Sequence, residues 1–243
     1  MNKKILVIGD SCRDVHIYCS SSRMCPDKPV PILKIIDQND NPGMAKNVYR
    51  NIKSIVESCD LLTNTNWHNI TKTRYVHKTT NHMFFRVDSA EEIKRINIDS
   101  INYNYDHIVI SDYDKGYLTE EDIITISSNH NSVFLDTKKI LGSWANKVKF
   151  IKINNHEYER SKNFITEELN NKIIKTCGEH GCYYLNERFP VEQQEVIDVS
   201  GAGDSFLAGL IIEYSKNKDI RASIEFANKC ASKVVSQKGV SVI

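Results

Sequence analysis

The first apolar run, "ILVIG" from Ile5 to Gly9, is unbroken by polar residues and stops at Gly-Asp, as a strand buried on both faces would. "PGMAKNVYRNIKSIVES" opens on Pro-Gly and then sets Ala45, Val48, Ile52, Ile55 and Val56 at helical spacing. "TRYVHKTTNHMFFRVD" predicts two strands, Thr73–His77 and Met83–Val87, around a polar turn. "HIVIS", "SVFLD" and "FIKIN" follow as short β-rich runs that end in polar residues and alternate with helical or loop segments. This alternation predicts an α/β fold with a largely parallel sheet covered on both faces. Gly9-Asp10, Ser111-Asp112, Asp136 and Asn154 would then share the sheet edge where open α/β sheets bind ligands.

The last third begins with a strand–turn–strand, "KTCGEHGCYYL", and ends in two helices. The second runs from Asp219, a capping residue, to about Gln237, with Ile220, Ile224, Ala227, Ala231 and Val234 on its apolar face and Gly239 just beyond. The first is apolar almost all round from Ser205 to Tyr214, so it should be buried on most sides. Its start breaks the pattern. "VIDVSGAGDSFLAGL" puts two glycines and a carboxylate where a buried helix begins.

Small residues at a helix start leave backbone N–H groups open, and the helix end adds roughly half a positive charge. Gly201, Ala202 and Gly203 would therefore form an anion cradle, with Asp204 inside it as a candidate proton acceptor. In-line phosphoryl transfer to an alcohol needs that combination. The bland alternative is a glycine-rich turn with Asp204 as a cap. No GxxxxGK[ST] pattern occurs, so a nucleotide would be held in another way.

Composition narrows the classes without naming one. The chain is 40% hydrophobic and 26% charged, ordinary for a soluble globular protein. With 32 basic and 31 acidic residues, nothing suggests a nucleic-acid or membrane surface. No apolar run approaches the length of a membrane span, and "KKILVIGD" does not suit a signal peptide. The seven cysteines, at 12, 19, 25, 59, 177, 182 and 230, form no CxxC pair, which favours reduced thiols and a cytoplasmic setting. The histidines form no HExxH or clustered-ligand pattern, so no structural transition-metal site is expected.

"DVSGAGDSFLAG" resembles the signature of the ribokinase-like (PfkB) carbohydrate kinases, and the resemblance extends in order over nearly the whole chain. "ILVIGDSCRDVHIY" and "SRMCPDKPVPILKI" are similar to the start of the heptose-phosphate kinase branch. "NPGMAKNVYRNI" resembles its GGAxNVAxN helix, "FFRVD" its lid segment and "ISDYDKG" its SDYxKG loop. "FLDTKK" resembles DPK, "INNHE" resembles PNxxE, and "KTCGEHGCYYL" resembles TxGxxGxxL. The resemblance implies a three-layer ribokinase-like fold over residues 1–243, a single kinase domain with a mostly parallel central sheet and residues 73–88 as a small β lid.

What it implies for single residues follows the matched motifs. Asp204 would deprotonate a sugar hydroxyl, and Gly201, Ala202 and Gly203 would supply N–H groups to the transferring phosphate. Asp14, Gly43 and Asn47 match sugar-contacting positions. Asn154 and Glu157 match the turn that orders magnesium and nucleotide phosphates, largely through water. Thr176 and Gly178 match the nucleotide-binding turn, and Asn228 lies on the helix beside the adenine pocket. Lys115 would hold a substrate phosphate, with a solvated loop lysine as the alternative. Arg86 and Asp88 would close over the sugar, or form only a strand-edge ion pair. Asp10 and Asp112 are ligands or loop caps, and Lys138 is a weaker candidate.

Departures bear on specificity. Met44 stands where the family has a second glycine, next to the sugar, and its bulk should reshape the pocket. Ser200 replaces threonine, while Thr137 and Ile153 replace prolines. The chain is shorter than typical relatives, chiefly between Ile52 and Thr71, where a strand and a helix would normally lie, and also between Glu159 and Thr176. No HxGH motif occurs, so the nucleotidyltransferase domain fused to some heptose kinases is expected to be missing. The expected activity is ATP- and Mg2+-dependent transfer of a γ-phosphate to a sugar or sugar phosphate, first of all one like D-glycero-D-manno-heptose 7-phosphate. A kinase of another sugar, or a non-catalytic sugar- or nucleotide-binding relative, are the alternatives. Tyr75, Phe84, Phe85 and Val87 would leave an apolar lid face that a substrate or a second subunit covers, giving a homodimer through the lid.

Overall fold

The computed structural model of the chain describes residues 3–90, 92–192, 196–237 and 242–243. β1 (Ile5–Gly9) passes through Asp10 into β2 (Ser11–Ser20), and β3 (Lys34–Met44) returns beside it to deliver the chain to α1 (Ala45–Lys53). β4 (Cys59–Thr63), β5 (Thr71–His77) and β6 (Met83–Asp88) follow. β7 (His107–Asp112), α2 (Glu120–Asn129), β8 (Val133–Thr137), β9 (Phe150–Asn154), α3 (Asn155–Ser161) and α4 (Glu167–Asn170) then alternate. β10 (Ile173–Thr176), β11 (Cys182–Tyr184) and β12 (Glu187–Phe189) lead into α5 (Ala202–Asn217) and α6 (Ile220–Val235).

Among the described residues the strands form two sheets. The larger runs β12-β11-β10-β9-β8-β7-β1-β4, parallel from β10 to β4 and antiparallel at β11 and β12. The reason for its unbroken apolar runs is visible in β1. Ile5 and Val7 pack with Val48 and Ile52 of α1 and with α5 and α6, whereas Leu6 and Ile8 pack with Ile123 and Ile126 of α2. Both faces are covered, so every position of the run is buried, and each such side chain contributes roughly 1.5–3 kcal/mol. The three layers follow from this.

The smaller sheet has the order β3-β2-β5-β6. The two strands expected at 73–77 and 83–87 belong to it, so they stand outside the central sheet. It is twice the size the 73–88 segment suggested, because β2 and β3 supply half of it. β2 is easy to overlook, since Arg13, Asp14 and His16 interrupt it. Its alternate positions Val15, Ile17 and Cys19 nevertheless form a small cluster with Leu33, Tyr75 and Phe84. Tyr75 and Phe84 are thereby half-buried, while Met83, Phe85 and Val87 remain about half exposed on β6.

Two further expectations change. The strand thought lost between Ile52 and Thr71 is present as β4, paired parallel with β1, and turns take the place of the helix. Met44 does not occupy the ligand pocket. Its side chain is 2% exposed and belongs to the core cluster of Ile8, Cys12 and Ile110, while its backbone adopts φ 59°, as a glycine would. α6 is capped as expected by Asp219, whose carboxylate accepts from the amides of Arg221 and Ala222. Gly239 lies outside the described residues.

Candidate active site

The edge of the large sheet collects the residues that the local pattern pointed to. Gly201 has φ 81°, a left-handed conformation that suits glycine, and this turns the chain into α5. The first intrahelical bond runs from the Ser205 amide to the Gly201 carbonyl. Among the described residues the amides of Gly203 and Asp204 have no acceptor, so the open cradle is a feature of the structure.

Asp204 is the third residue of α5 and caps nothing; its side chain is 5% exposed. Asn47 of α1 donates to Oδ2 at 2.9 Å and the Tyr113 phenol donates to Oδ1 at 2.7 Å. Asn51 in turn holds Asn47, donating to its Oδ1 at 3.2 Å. Burial raises the Asp204 pKa to about 6, partly opposed by the two hydrogen bonds. That places the carboxylate near the range in which general-base catalysis works. Burial also drives the Tyr113 phenol well above its usual pKa, so it stays a hydrogen-bond donor.

A cavity of about 830 Å³ opens onto this cradle, and Gly201–Asp204, Asn154, Thr176, Gly178 and Asn228 all line it. Gly178 turns with φ 57° after β10, and Asn228 is fixed by donating to the Phe189 carbonyl at 3.1 Å. Asn154 and Glu157 hold each other in a reciprocal capping box at the start of α3. Glu157 Oε2 accepts from the Asn154 amide at 2.8 Å, and Oε1 from the Asn154 side chain at 2.8 Å and from Lys138. Burial disfavours the Lys138 charge, yet Asp136 and Glu157 outweigh it and raise the pKa.

Magnesium fits here only in a hydrated form. Among the described residues no group of three or more His, Cys, Asp or Glu could hold a metal ion. Glu157 supplies a carboxylate, and the buried Asp136 Oδ1 has no hydrogen-bond partner. With Asp136 Oδ1 the one oxygen of the two carboxylates that accepts no hydrogen bond, the pair suits only an ion that keeps most of its waters and rests on substrate phosphates.

The sugar-side candidates lie on the other flank. Asp14 of β2 is paired with Arg74 of β5 at 2.5 Å, both largely buried. Gly43 backs directly onto Asp14: a Cβ there would lie 2.4 Å from Oδ2. By register, Asp14, Lys72 and Asp88 are neighbours across β2, β5 and β6, and Arg74 and Arg86 are opposite each other. Arg86 bonds Asp88 at 2.8 Å and is about half exposed, the strand-edge ion pair. Lys115 is exposed on the loop after β7. Asp10 accepts from the amides of Tyr113 and Tyr117, and Asp112 from Thr137 and Lys139, so both hold loops.

Tyr113, Lys152, Lys72 and Arg74 are candidate groups that the sequence reading did not single out. Tyr113 lay inside the matched "ISDYDKG" loop, Lys72 and Arg74 alternate in "TKTR", and Lys152 interrupts the apolar "FIKIN". Burial lowers the Lys72 pKa, and its ammonium sits 4.8 Å from the centroid of the Tyr113 ring.

A three-layer α/β fold with a second small sheet, and a glycine cradle carrying a buried carboxylate, define a carbohydrate kinase of the ribokinase type. The family model described as pfkB family carbohydrate kinase matches residues 63–242, and the chain belongs to that family. The bifunctional protein HldE of Helicobacter pylori strain J99 is 29% identical over 98% of this chain; the chain covers 64% of that relative, less than two thirds of its length. In three dimensions the chain is similar to ribokinase from Thermotoga maritima, with a TM-score of 0.75 and 17% identity over 98% of this chain and 94% of that one. The nucleoside kinase of Methanocaldococcus jannaschii gives 0.72 and 20% identity, over 98% and 93%. No helix among the described residues is long and apolar enough to cross a membrane.

Proposed function

We propose that the chain transfers the γ-phosphate of ATP to a hydroxyl of a phosphorylated sugar, with a substrate like D-glycero-D-manno-heptose 7-phosphate as the first candidate. The observation that carries this is Asp204, a buried carboxylate with its pKa raised to about 6, set beside unsatisfied amides at the mouth of a nucleotide-sized cavity. The matched HldE relatives and the heptose-kinase motifs support the sugar class. So does Lys72 on the small sheet, a cation suited to an anionic substrate, beside Arg74 and Arg86, which pair with Asp14 and Asp88.

In this reading Asn47 and Tyr113 orient Asp204, which takes the proton of the attacking hydroxyl. The Gly203 and Asp204 amides receive the transferring phosphoryl group, and Asp14 and Asn47 hold sugar hydroxyls. Thr176, Gly178 and Asn228 bind the nucleotide. Asn154, Glu157 and Asp136 would hold hydrated Mg2+, whose contribution is to neutralise phosphate charge. Residues 73–88, with β2 and β3, act as a lid, and the exposed Met83, Phe85 and Val87 support pairing of two chains there.

The test is ADP release against a panel of sugars and sugar phosphates, with the product's phosphorylated position read by NMR. Heptose 7-phosphate should give the highest kcat/KM. ADP release no faster than without acceptor, across the whole panel, would overturn the proposal.

A further inference from the structure

Lys152 occupies a place that the local strand pattern does not explain. Its neighbours Ile151 and Ile153 are fully buried on one face of β9, and Lys152 points to the other, where it is 4% exposed. Register sets it directly beside Asp136 of β8, and its ammonium bonds Asp136 Oδ2 at 2.7 Å. A buried lysine is costly to desolvate, and one carboxylate oxygen engages only one of three N–H donors.

The same ammonium lies at the glycine cradle. A Cβ built on Gly203 would lie 3.0 Å from Lys152 Nζ, so the ammonium and the second glycine of GAGD are in close approach. Gly203 is helical, without the left-handed backbone of Gly201, so its absent side chain serves space rather than conformation. Lys152 and Gly203 line the same cavity. A cation beside a helix N-terminus is electrostatically unfavourable unless an anion lies between them. Asp136 bonds the ammonium, and the ammonium also favours the charged form of Asp204 in the first turn of α5.

We propose that Lys152 is a catalytic residue: its ammonium donates hydrogen bonds to the phosphoryl group in flight, completing the cradle formed by the Gly203 and Asp204 amides. The proposal rests on the kinase reading. As transfer proceeds, the bond from the γ-phosphorus to the bridging oxygen of ADP breaks and a bond to the sugar oxygen forms. The hydroxyl proton passes to Asp204, ADP leaves with the bridging electron pair, and Lys152 keeps its proton throughout. Its service is electrostatic: the three equatorial oxygens carry the charge, and a preorganised cation outside water stabilises them strongly.

The experiment compares K152Q and K152R with the wild-type chain, each checked for folding by thermal melting. K152Q should lower kcat by about 10²- to 10³-fold, the usual loss for one transition-state donor, with KM for the sugar within about threefold. K152R, which keeps the charge, should recover at least tenfold of that loss. Calorimetric titration supplies a readout without turnover: K152Q should weaken ATP about tenfold while leaving ADP unchanged, since only ATP carries the γ-phosphate. A lower melting temperature with wild-type kcat and an unchanged ATP-to-ADP affinity ratio would reduce Lys152 to a structural partner of Asp136 and overturn the proposal. Should the wild-type chain bind both nucleotides yet phosphorylate nothing in the panel, the kinase reading fails by itself. The affinity ratio then still decides whether Lys152 meets a γ-phosphate.

Discussion

The Tyr113 phenol and the Asp204 carboxylate meet at 2.7 Å although 91 residues separate them, and this bond ties the loop after β7 to the first turn of α5. It also bears on the proton affinity of the carboxylate. The phenol favours the charged carboxylate, while burial opposes it more strongly and carries the pKa to about 6.

Turnover should therefore fall as the pH drops through about 6, where Asp204 becomes protonated. Tyr113→Phe removes one donor to the carboxylate and should move the acid limb of the kcat/KM profile to higher pH. A pH–rate series on both proteins measures the displacement. An acid limb that stays in place would separate Tyr113 from the base.

Asp204→Asn keeps size but removes proton acceptance, and its NH2 group replaces one of the two oxygens that accept from Asn47 and Tyr113. General-base loss costs about 10² to 10⁴ in kcat, roughly 3–5 kcal/mol of barrier, and nucleotide affinity should change little. Stability moves the other way. A carboxyl whose folded pKa is raised from 3.8 to about 6 contributes stability below 3.8 that is lost as the pH rises through 6. The stability of the Asn variant relative to wild type should therefore rise between pH 4 and pH 8, by an amount on the order of 2–3 kcal/mol, on top of the pH-independent cost of the lost acceptor. Melting curves at the two pH values check the sign.

Glu157 combines two roles. Glu157→Gln can keep one oxygen for the Asn154 amide, but its NH2 then faces the Asn154 side chain and Lys138, so Mg-ATP affinity should fall together with the melting temperature. Asn154→Ala removes the cap and should cost about 0.5–2 kcal/mol of stability. Thermal melts and nucleotide titrations on the two variants measure these effects.

Gly43→Ala would push a methyl to 2.4 Å from Asp14 Oδ2 and 2.8 Å from Cys12 Sγ. Asp14 must then move from its bond with Arg74. The sugar KM should rise tenfold or more, with ATP affinity unaltered, in steady-state kinetics with each substrate varied.

Met44→Gly sets two effects against each other. Relief of the φ 59° backbone is worth about 1–3 kcal/mol, and loss of a core side chain costs about 2–5 kcal/mol. The variant should be less stable by about 1–2 kcal/mol, measured by urea unfolding, with the sugar KM near wild type because the side chain lies in the core.

Local pattern was enough for the layers and for where the candidate site begins. The runs at Ile5, His107 and Val133 have no polar interruption because they are covered on both faces, and burial on two sides leaves that mark whatever the neighbours are. GAGD was legible for a similar reason: glycines and a carboxylate at a buried helix start contradict local preference, and the contradiction lies within four residues. The small sheet was half legible. "MFFRVD" shows its strand character openly, but β2 hides its alternation among charges that matter only once β5 lies beside it. The remaining relations belong to the tertiary structure. Asp136 meets Lys152 through the register of β8 on β9, Asp14 meets Arg74 through β2 on β5, and Lys152 reaches Gly203 only because α5 begins over the end of β9. Whether a buried charge finds a partner depends on distances between elements, and no periodicity along one segment encodes them. A lysine inside "FIKIN" therefore reads as an interruption of a strand until the sheet and helix place a glycine-rich helix start against it.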